Sequence, residues 1–410
     1  MGFNVPPSMA KKPPHLGWAG TVVDALEERI QLLGWNDPSE SLGLDDVFAG
    51  NLLEVESGLS HLDALVYGVG FVKVGRGDDG PAVTVEPTTG TTGIWDYRLR
   101  RLSAALSLDP PVKGVDQTAA LYLPDQTVSL VRRRGGGWDE DTGGEDGARD
   151  RHGLGRVPVV MVANRTMASA RQGHSEVSLP VRDLVDEGSR VLLAMAVNRE
   201  FFSAPQRLIL GRNPDDVREL LSMIGAIWAL DADEEGHTPE VTQFPQVKPG
   251  PHIEQLKALA SQLATVSGVP ESYFGVTATA NPSSADAIRA SEVRLIKKAE
   301  RRSQMFGVAW LEVARLVCLM NGHTLSSEFG RVSCRWGDPA TPTAAAKADE
   351  AAKLTGAGIL PKRSKITYDR IGLTTAEQDQ VEKDWSKQAS MADLMATMAT
   401  RQVEPGQDRG

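Results

Sequence analysis

Residues 274–302 read "FGVTATANPSSADAIRASEVRLIKKAERR", a run of small residues that turns at Asn281-Pro282-Ser283-Ser284 into a charged, helix-like pattern. Ser283 and Ser284 are candidate N-caps, and Asp286 is well placed against the positive end of the helix that follows. Beyond them Leu295, Ala299, Phe306, Trp310, Val313, Val317 and Met320 keep a near-heptad stripe, so one long helix is expected over about 284–321. Arg289, Arg294, Lys297, Lys298, Arg301 and Arg302 lie mainly off that stripe, interleaved with Asp286, Glu292 and Glu300. On spacing alone this is a solvated helix face with ion pairs three or four residues apart. The small-residue join is open to three readings: a linker, an anion-binding helix start, or a loop held against something that moves.

Working outward, a helix over 251–267 precedes this stretch, with Ile253, Leu256, Ala260, Leu263 and Val266 in phase and a stop at Gly268 before Pro270. Upstream, 205–250 is a short mixed unit in which "AIWAL" and "EVTQF" read as strands around an acidic turn. Another long helix is expected from Pro180 to Ala204. The N-terminal part reads as helices over 18–34 and 45–66, then a β-rich region: "YGVGFVKVG", "AVTVEP", "AALYLPD", "TVSLVRR" and, after a gap, "GRVPVVMVAN". The gap, 132–153, is rich in Gly and charge and reads as a long exposed hairpin loop or a disordered tip. The tail from Pro339 is Ala-rich and helical in pattern. The fold class expected is α+β.

The chain has 410 residues, 44 of them basic and 54 acidic, for a net charge of −10. That balance excludes a generic nucleic-acid binder, which needs surplus cations to displace phosphate counterions. Cys318 and Cys334 make neither a CxxC pair nor a disulfide framework, in keeping with a reducing compartment. The first fifteen residues contain no apolar signal core, and no run approaches 18 uninterrupted apolar residues, so no membrane span is expected.

Motifs that carry chemistry fail on context. Gly75-Arg-Gly77-Asp-Asp-Gly80 has the G-x-G-x-x-G spacing, but Pro81 and a second strand follow where a helix start is needed, so a hairpin turn is expected. Asp231-Ala-Asp233-Glu-Glu235-Gly236 begins like a calcium loop, yet Thr242 stands at the position of the closing Glu. Walker A, H-E-x-x-H and G-x-S-x-G patterns are absent, and the seven histidines are scattered. No enzyme activity, metal or cofactor is expected.

Five segments in order, "VVDALEERIQLLGW" (22–35), "HLDALVYGVGFVKV" (61–74), "ALYLPDQTV" (120–128), "HGLGRVPVVMVANR" (152–165) and "GVPESYFGV…" onward (268–316), resemble the portal proteins of tailed bacteriophages, in the branch similar to phage SPP1. The resemblance covers most of 18–355. It implies a homo-oligomeric ring, usually of twelve subunits, at one capsid vertex, with double-stranded DNA passing through its channel during packaging and ejection.

The family's parts fall here, by order, as a wing at 1–176, a stem helix at 177–204, a clip at 205–250, a second stem helix at 251–273, a tunnel loop at 274–284, a long wing helix and return strand at 285–339, and a crown at 340–410. The resemblance places Val276, Thr277, Thr279, Asn281, Ser283 and Ser284 at the DNA channel. Arg289, Arg294, Lys297 and Lys298 then serve the channel or a subunit contact, and Asp231, Asp233, Glu234 and Glu235 the clip. Partners implied are the terminase large subunit, a head-completion or adaptor protein, and the major capsid and scaffolding proteins, with no membrane. The location implied is the virion, after assembly in the host bacterial cytoplasm. Against the family pattern the N-terminal wing and the crown are short. The second reading is another head–tail connector or capsid assembly protein with no DNA-channel role.

Overall fold

The computed structural model describes residues 13–38, 41–78, 80–133, 136–143, 147–202, 207–210, 240–243, 248–275, 285–325, 329–374, 377–388 and 391. Residues 1–339 and 340–410 form two compact units.

The first unit is built around a three-stranded antiparallel sheet. β2 (Val69–Gly77) is its centre, flanked by β3 (Gly80–Glu86) and β10 (Val159–Ala163). Alternation decides what each face meets. Val72, Val74, Val160 and Val162 point into the main core, while Phe71, Val159 and Met161 point into a smaller one shared with Leu102, Ala105 and Tyr122. The latter three belong to a second sheet in the order β4 (Thr91–Asp96), β5 (Arg101–Leu108), β6 (Gln117–Tyr122), β7 (Thr127–Arg132) and β8 (Trp138–Glu140), with β9 (Arg149–Asp150) also on β7. The Gly75–Gly80 motif is the β2–β3 hairpin turn, with Gly77 opposite Gly80. The 132–153 segment is the expected hairpin, carrying the short strands β8 and β9.

Two helix expectations are corrected. The first helix, α1 (Trp18–Glu27), ends early, and Leu32–Asn36 is a strand, β1, paired with β13 (Ser333–Trp336). Gly34, at φ 136°, takes a backbone geometry that helix continuation excludes. The 45–66 helix is two, α2 (Leu44–Gly50) and α3 (Leu53–Tyr67), divided at Leu52 in the left-handed region (φ 52°). Strands β4 and β5 were not foreseen.

Helices α4 (Leu179–Phe202) and α5 (Gly250–Ser267) pack on each other, with Val191 and Leu256 buried and Asn198 Nδ2 2.6 Å from His252 Nε2. Between them the described strands are β11 (Arg207–Leu210) and β12 (Glu240–Gln243), an antiparallel pair. "EVTQ" is therefore a strand as expected, and "AIWAL" lies outside the described residues.

Helix α6 (Ala285–Met320) is 36 residues, about 54 Å at 1.5 Å per residue. Its stripe is the axis of the main core: Leu295, Ala299, Phe306, Trp310, Val313 and Val317 are fully buried. His61 of α3 stacks on Phe306 (5.0 Å) and accepts a hydrogen bond from Trp310 Nε1 (2.9 Å), while Trp35 Nε1 donates to the Trp310 carbonyl (3.0 Å). Arg289–Met320 is long and apolar enough to cross a membrane by length and composition, but this stripe is spent on the protein interior.

The second unit contains α7 (Ala344–Gly356), capped by Thr343, α8 (Lys365–Ile371), capped by Ser364, and a helix over 377–388. Tyr368 donates to Glu382 (3.0 Å), and the Arg363 guanidinium lies 3.8 Å from the Trp385 ring centre.

Candidate functional site: the residues flanking 276–284

Val276, Thr277, Thr279, Asn281, Ser283 and Ser284 lie outside the described residues, as do Asp231, Asp233, Glu234 and Glu235. Both ends of the 276–284 segment are described, and both are fastened to the first unit.

On the leading side α5 stops at Gly268 (φ 76°), whose N–H donates to the Ala264 carbonyl at 2.9 Å. Val269 is buried, and Glu271–Phe274 forms a single 3-10 turn that ends at Gly275 (φ 69°). Phe274 is buried edge-on against Trp18 (6.0 Å between centroids, 72°), and its carbonyl accepts from Trp18 Nε1 at 3.1 Å. The chain is thus held by ring and backbone one residue before it turns.

On the trailing side, Glu292 of α6 accepts from the Tyr273 hydroxyl (2.7 Å) and pairs with Arg29 (3.1 Å), which also donates to the Tyr273 oxygen (3.0 Å). This knot joins the turn after α1, the 3-10 turn and α6. Partial burial, followed by the hydrogen bond to Glu292, raises the Tyr273 pKa, so its hydroxyl keeps the proton it donates.

The four basic residues divide by what they touch. Arg294 Nη1 donates to the Thr265 carbonyl (2.7 Å) and Lys298 Nζ to that of Ser267 (2.9 Å). Both close the C-terminal turn of α5, where carbonyls lack helical partners and the helix dipole favours cations. Lys298 also reaches Glu176 (2.7 Å), a carboxylate with 3% exposure. Lys297 pairs with Glu300 on the exposed face (2.8 Å), as the i,i+3 spacing leads one to expect, and Arg289 is exposed.

Glu176 had no signal in the sequence. It sits in an irregular stretch before α4 and receives Lys298, Arg302 (2.7 and 3.0 Å) and Asn164 Nδ2 (3.1 Å). Burial alone would raise its pKa, but the two cations outweigh that and hold it below 4.5. Burial pulls Lys298 below 10.5, partly offset by Glu176.

Neither cysteine is poised for covalent chemistry. Burial pushes the Cys318 thiol up to about 11 and Cys334 to about 12, the reverse of nucleophile activation. Among the described residues no group of three His, Cys, Asp or Glu is arranged to hold a metal. What the arrangement does is fasten the chain on both sides of residues 276–284 to side chains and carbonyls of the first unit.

The family model "Phage portal protein, SPP1 Gp6-like" matches residues 27–393. The portal protein of Mycobacterium phage D29 is 34% identical over 97% of this chain and 84% of its own length, and that of Mycobacterium phage L5 is 33% identical over the same shares. Among solved structures, the neck of a native GTA particle computed with C12 symmetry aligns at TM-score 0.49 and 15% identity (87% of this chain, 88% of that one). An HK97-family phage portal protein from Corynebacterium diphtheriae aligns at 0.40 and 12% (83% and 99%). The chain belongs to the SPP1-like family of phage portal proteins.

Proposed function

We propose that this head–tail connector works as the repeating subunit of a closed ring of about twelve copies at one capsid vertex, with the 274–284 tunnel loop at the edge of a channel for double-stranded DNA. Family membership across 27–393 supports the role. The observation that carries the loop assignment is its two-ended anchorage: a loop beside a moving polymer needs a base that does not move with it. The acidic chain suits a conduit, because every neutralised phosphate is a salt-sensitive anchor that slows sliding. Segment 205–250 is the clip, with Asp231, Asp233, Glu234 and Glu235 meeting the terminase large subunit or the head-completion protein. The protein itself is structural, and packaging force comes from the partner ATPase. Capsid and scaffolding proteins surround it during assembly in the bacterial cytoplasm, and it remains in the virion.

The ring is tested by native mass spectrometry and negative-stain imaging of the purified chain. A closed particle with a central hole is expected, as a head-to-tail contact repeated by rotation closes on itself. A monomer or dimer at every salt concentration would refute it. For the loop, Thr277→Pro with Thr279→Pro should stop DNA packaging while leaving rings intact; normal packaging removes the assignment. For the clip, reversing the four acidic charges should abolish terminase binding without changing ring assembly, and unchanged binding removes that role.

A further inference from the structure

Among the described residues, β10 is an edge of its three-stranded sheet and has no strand paired on its outer side. Pro158 O accepts from Val74 N (2.9 Å), and Asn164 N donates to Gly68 O (2.9 Å), so the even-numbered residues of β10 face β2. Antiparallel bonding alternates, which turns the N–H and C=O groups of Val159, Met161 and Ala163 the other way. Among the described residues these groups have no hydrogen-bond partner. Val159 and Met161 are nonetheless buried, a costly setting for unpaired backbone. No proline or bulge interrupts 159–163 to blunt the edge.

The edge opens into a groove of about 480 Å³ between α6 and the β4–β5 turn. Its floor is apolar and includes Val308 of α6, which is 71% exposed. Its rim is basic. Arg156 and Arg315 share Glu312, whereas Arg100, Arg101 and Arg171 have no carboxylate partner among the described residues. An occupant should therefore be extended, carry an apolar side chain and bring acidic ones.

The chain carries such a segment elsewhere. Trp138, Asp139 and Glu140 form the exposed outer strand β8, followed by Asp141. β8 stands three strands from β5 in the same sheet, about 14 Å away at the usual strand spacing, so it cannot fold back into its own groove. We propose that β8 of one copy, with Trp138, Asp139 and Asp141, adds as a strand to the open edge of β10 in the next copy, its carboxylates meeting Arg100, Arg101 and Arg171. Donor and acceptor are different surfaces of the same chain, so the contact is head-to-tail and repeats around a ring. This inference rests on the ring reading above.

The test uses the full-length chain carrying Ala163→Cys and Asp139→Cys, treated as assembled with a short bismaleimide. Neighbouring strands lie well within its reach, and the unaltered chain treated in the same way controls for Cys318 and Cys334. A ladder of covalent multimers is expected from the double variant and none from either single one. Ala163→Pro removes only an outward N–H, leaving the ladder to β2 intact, and should weaken assembly about tenfold, as expected for the loss of a hydrogen bond and the strand seating it supports. Arg101→Glu with Arg171→Glu should also weaken assembly, and adding Asp139→Arg with Asp141→Arg should restore it. Normal rings from Ala163→Pro, together with no ladder from the double cysteine chain, overturn the strand contact and leave the ring reading standing. Absence of any ring from the unaltered chain overturns both.

Discussion

Glu176→Gln isolates the ion triad behind the loop base. The carboxylate is 3% exposed and answers two cations, Lys298 at 2.7 Å and Arg302 at 2.7 and 3.0 Å. Removing one partner of a buried ion pair typically costs about 3–5 kcal/mol, because the remaining charge is stranded away from water. Gln keeps an oxygen that can still accept from Arg302 and Asn164, which puts the expected loss near the lower end, about 3 kcal/mol. For the first unit, residues 1–339, at about 2.1 cal/mol/K of unfolding entropy per residue, that corresponds to a fall in unfolding midpoint of about 4 °C. Lys298→Met leaves Glu176 paired with Arg302 and should cost less, about 1–2 kcal/mol. The double variant should recover at least about 1 kcal/mol of the summed losses, since both changes act on one network.

The pH dependence follows from the same contacts. A carboxylate held below 4.5 contributes stability that is complete above that value and lost as pH falls through its depressed folded pKa. Glu176→Gln should therefore flatten the acid limb of a midpoint-against-pH curve. Thermal and urea unfolding of the purified variants measure both quantities. A Glu176→Gln chain within about 0.5 kcal/mol of the parent, or one less affected than Lys298→Met, would refute the triad as described.

Three further outcomes are expected. Burial takes His61 to about 3, so between pH 6.5 and 3 the unfolded chain binds a proton that the folded chain refuses, and stability should decline by up to about 1.4 kcal/mol per unit; His61→Gln should lack this slope in urea titrations. A Cβ at Gly70 would sit 2.4 Å from the Ser60 carbonyl, whereas one at Gly75 meets nothing within 4 Å. Gly70→Ala should thus cost about 1–3 kcal/mol and Gly75→Ala stay within about 0.5, checked by urea unfolding. Trp18→Phe keeps the ring but loses the bond to Phe274, about 1 kcal/mol, and should speed limited proteolysis within 276–284 more than it lowers the thermal midpoint.

The long core helix was legible because its burial is periodic: Leu295 to Val317 recur on one face, and that face is buried. The β2–β3 hairpin was legible because the strand pattern "AVTVEP" follows Gly80 where a phosphate-binding loop would open a helix. What stayed hidden depends on partners distant along the chain. "IQLLGW" has apolar residues compatible with a helix, and only pairing with Ser333–Trp336 makes it a strand. Glu176 meets Arg302 across 126 residues, which no local pattern records. The basic face of 289–302 was visible as charge, but its division between solvent and the carbonyls of α5 is set by packing.

The β1–β13 pair also dictates an order of events during synthesis. Arg335 donates to the Leu33 carbonyl 302 residues earlier, and Trp35 waits for Trp310 to cover it. At about 5–20 residues per second the ribosome takes roughly 15–60 s to supply those partners. Throughout that interval the nascent chain holds an unclosed core, and the first unit can be completed only when residue 336 emerges. Fragments that stop short of β13 should therefore be clients of chaperones or proteases rather than smaller folded versions of the protein, which makes the 333–336 strand the latch of the whole first unit.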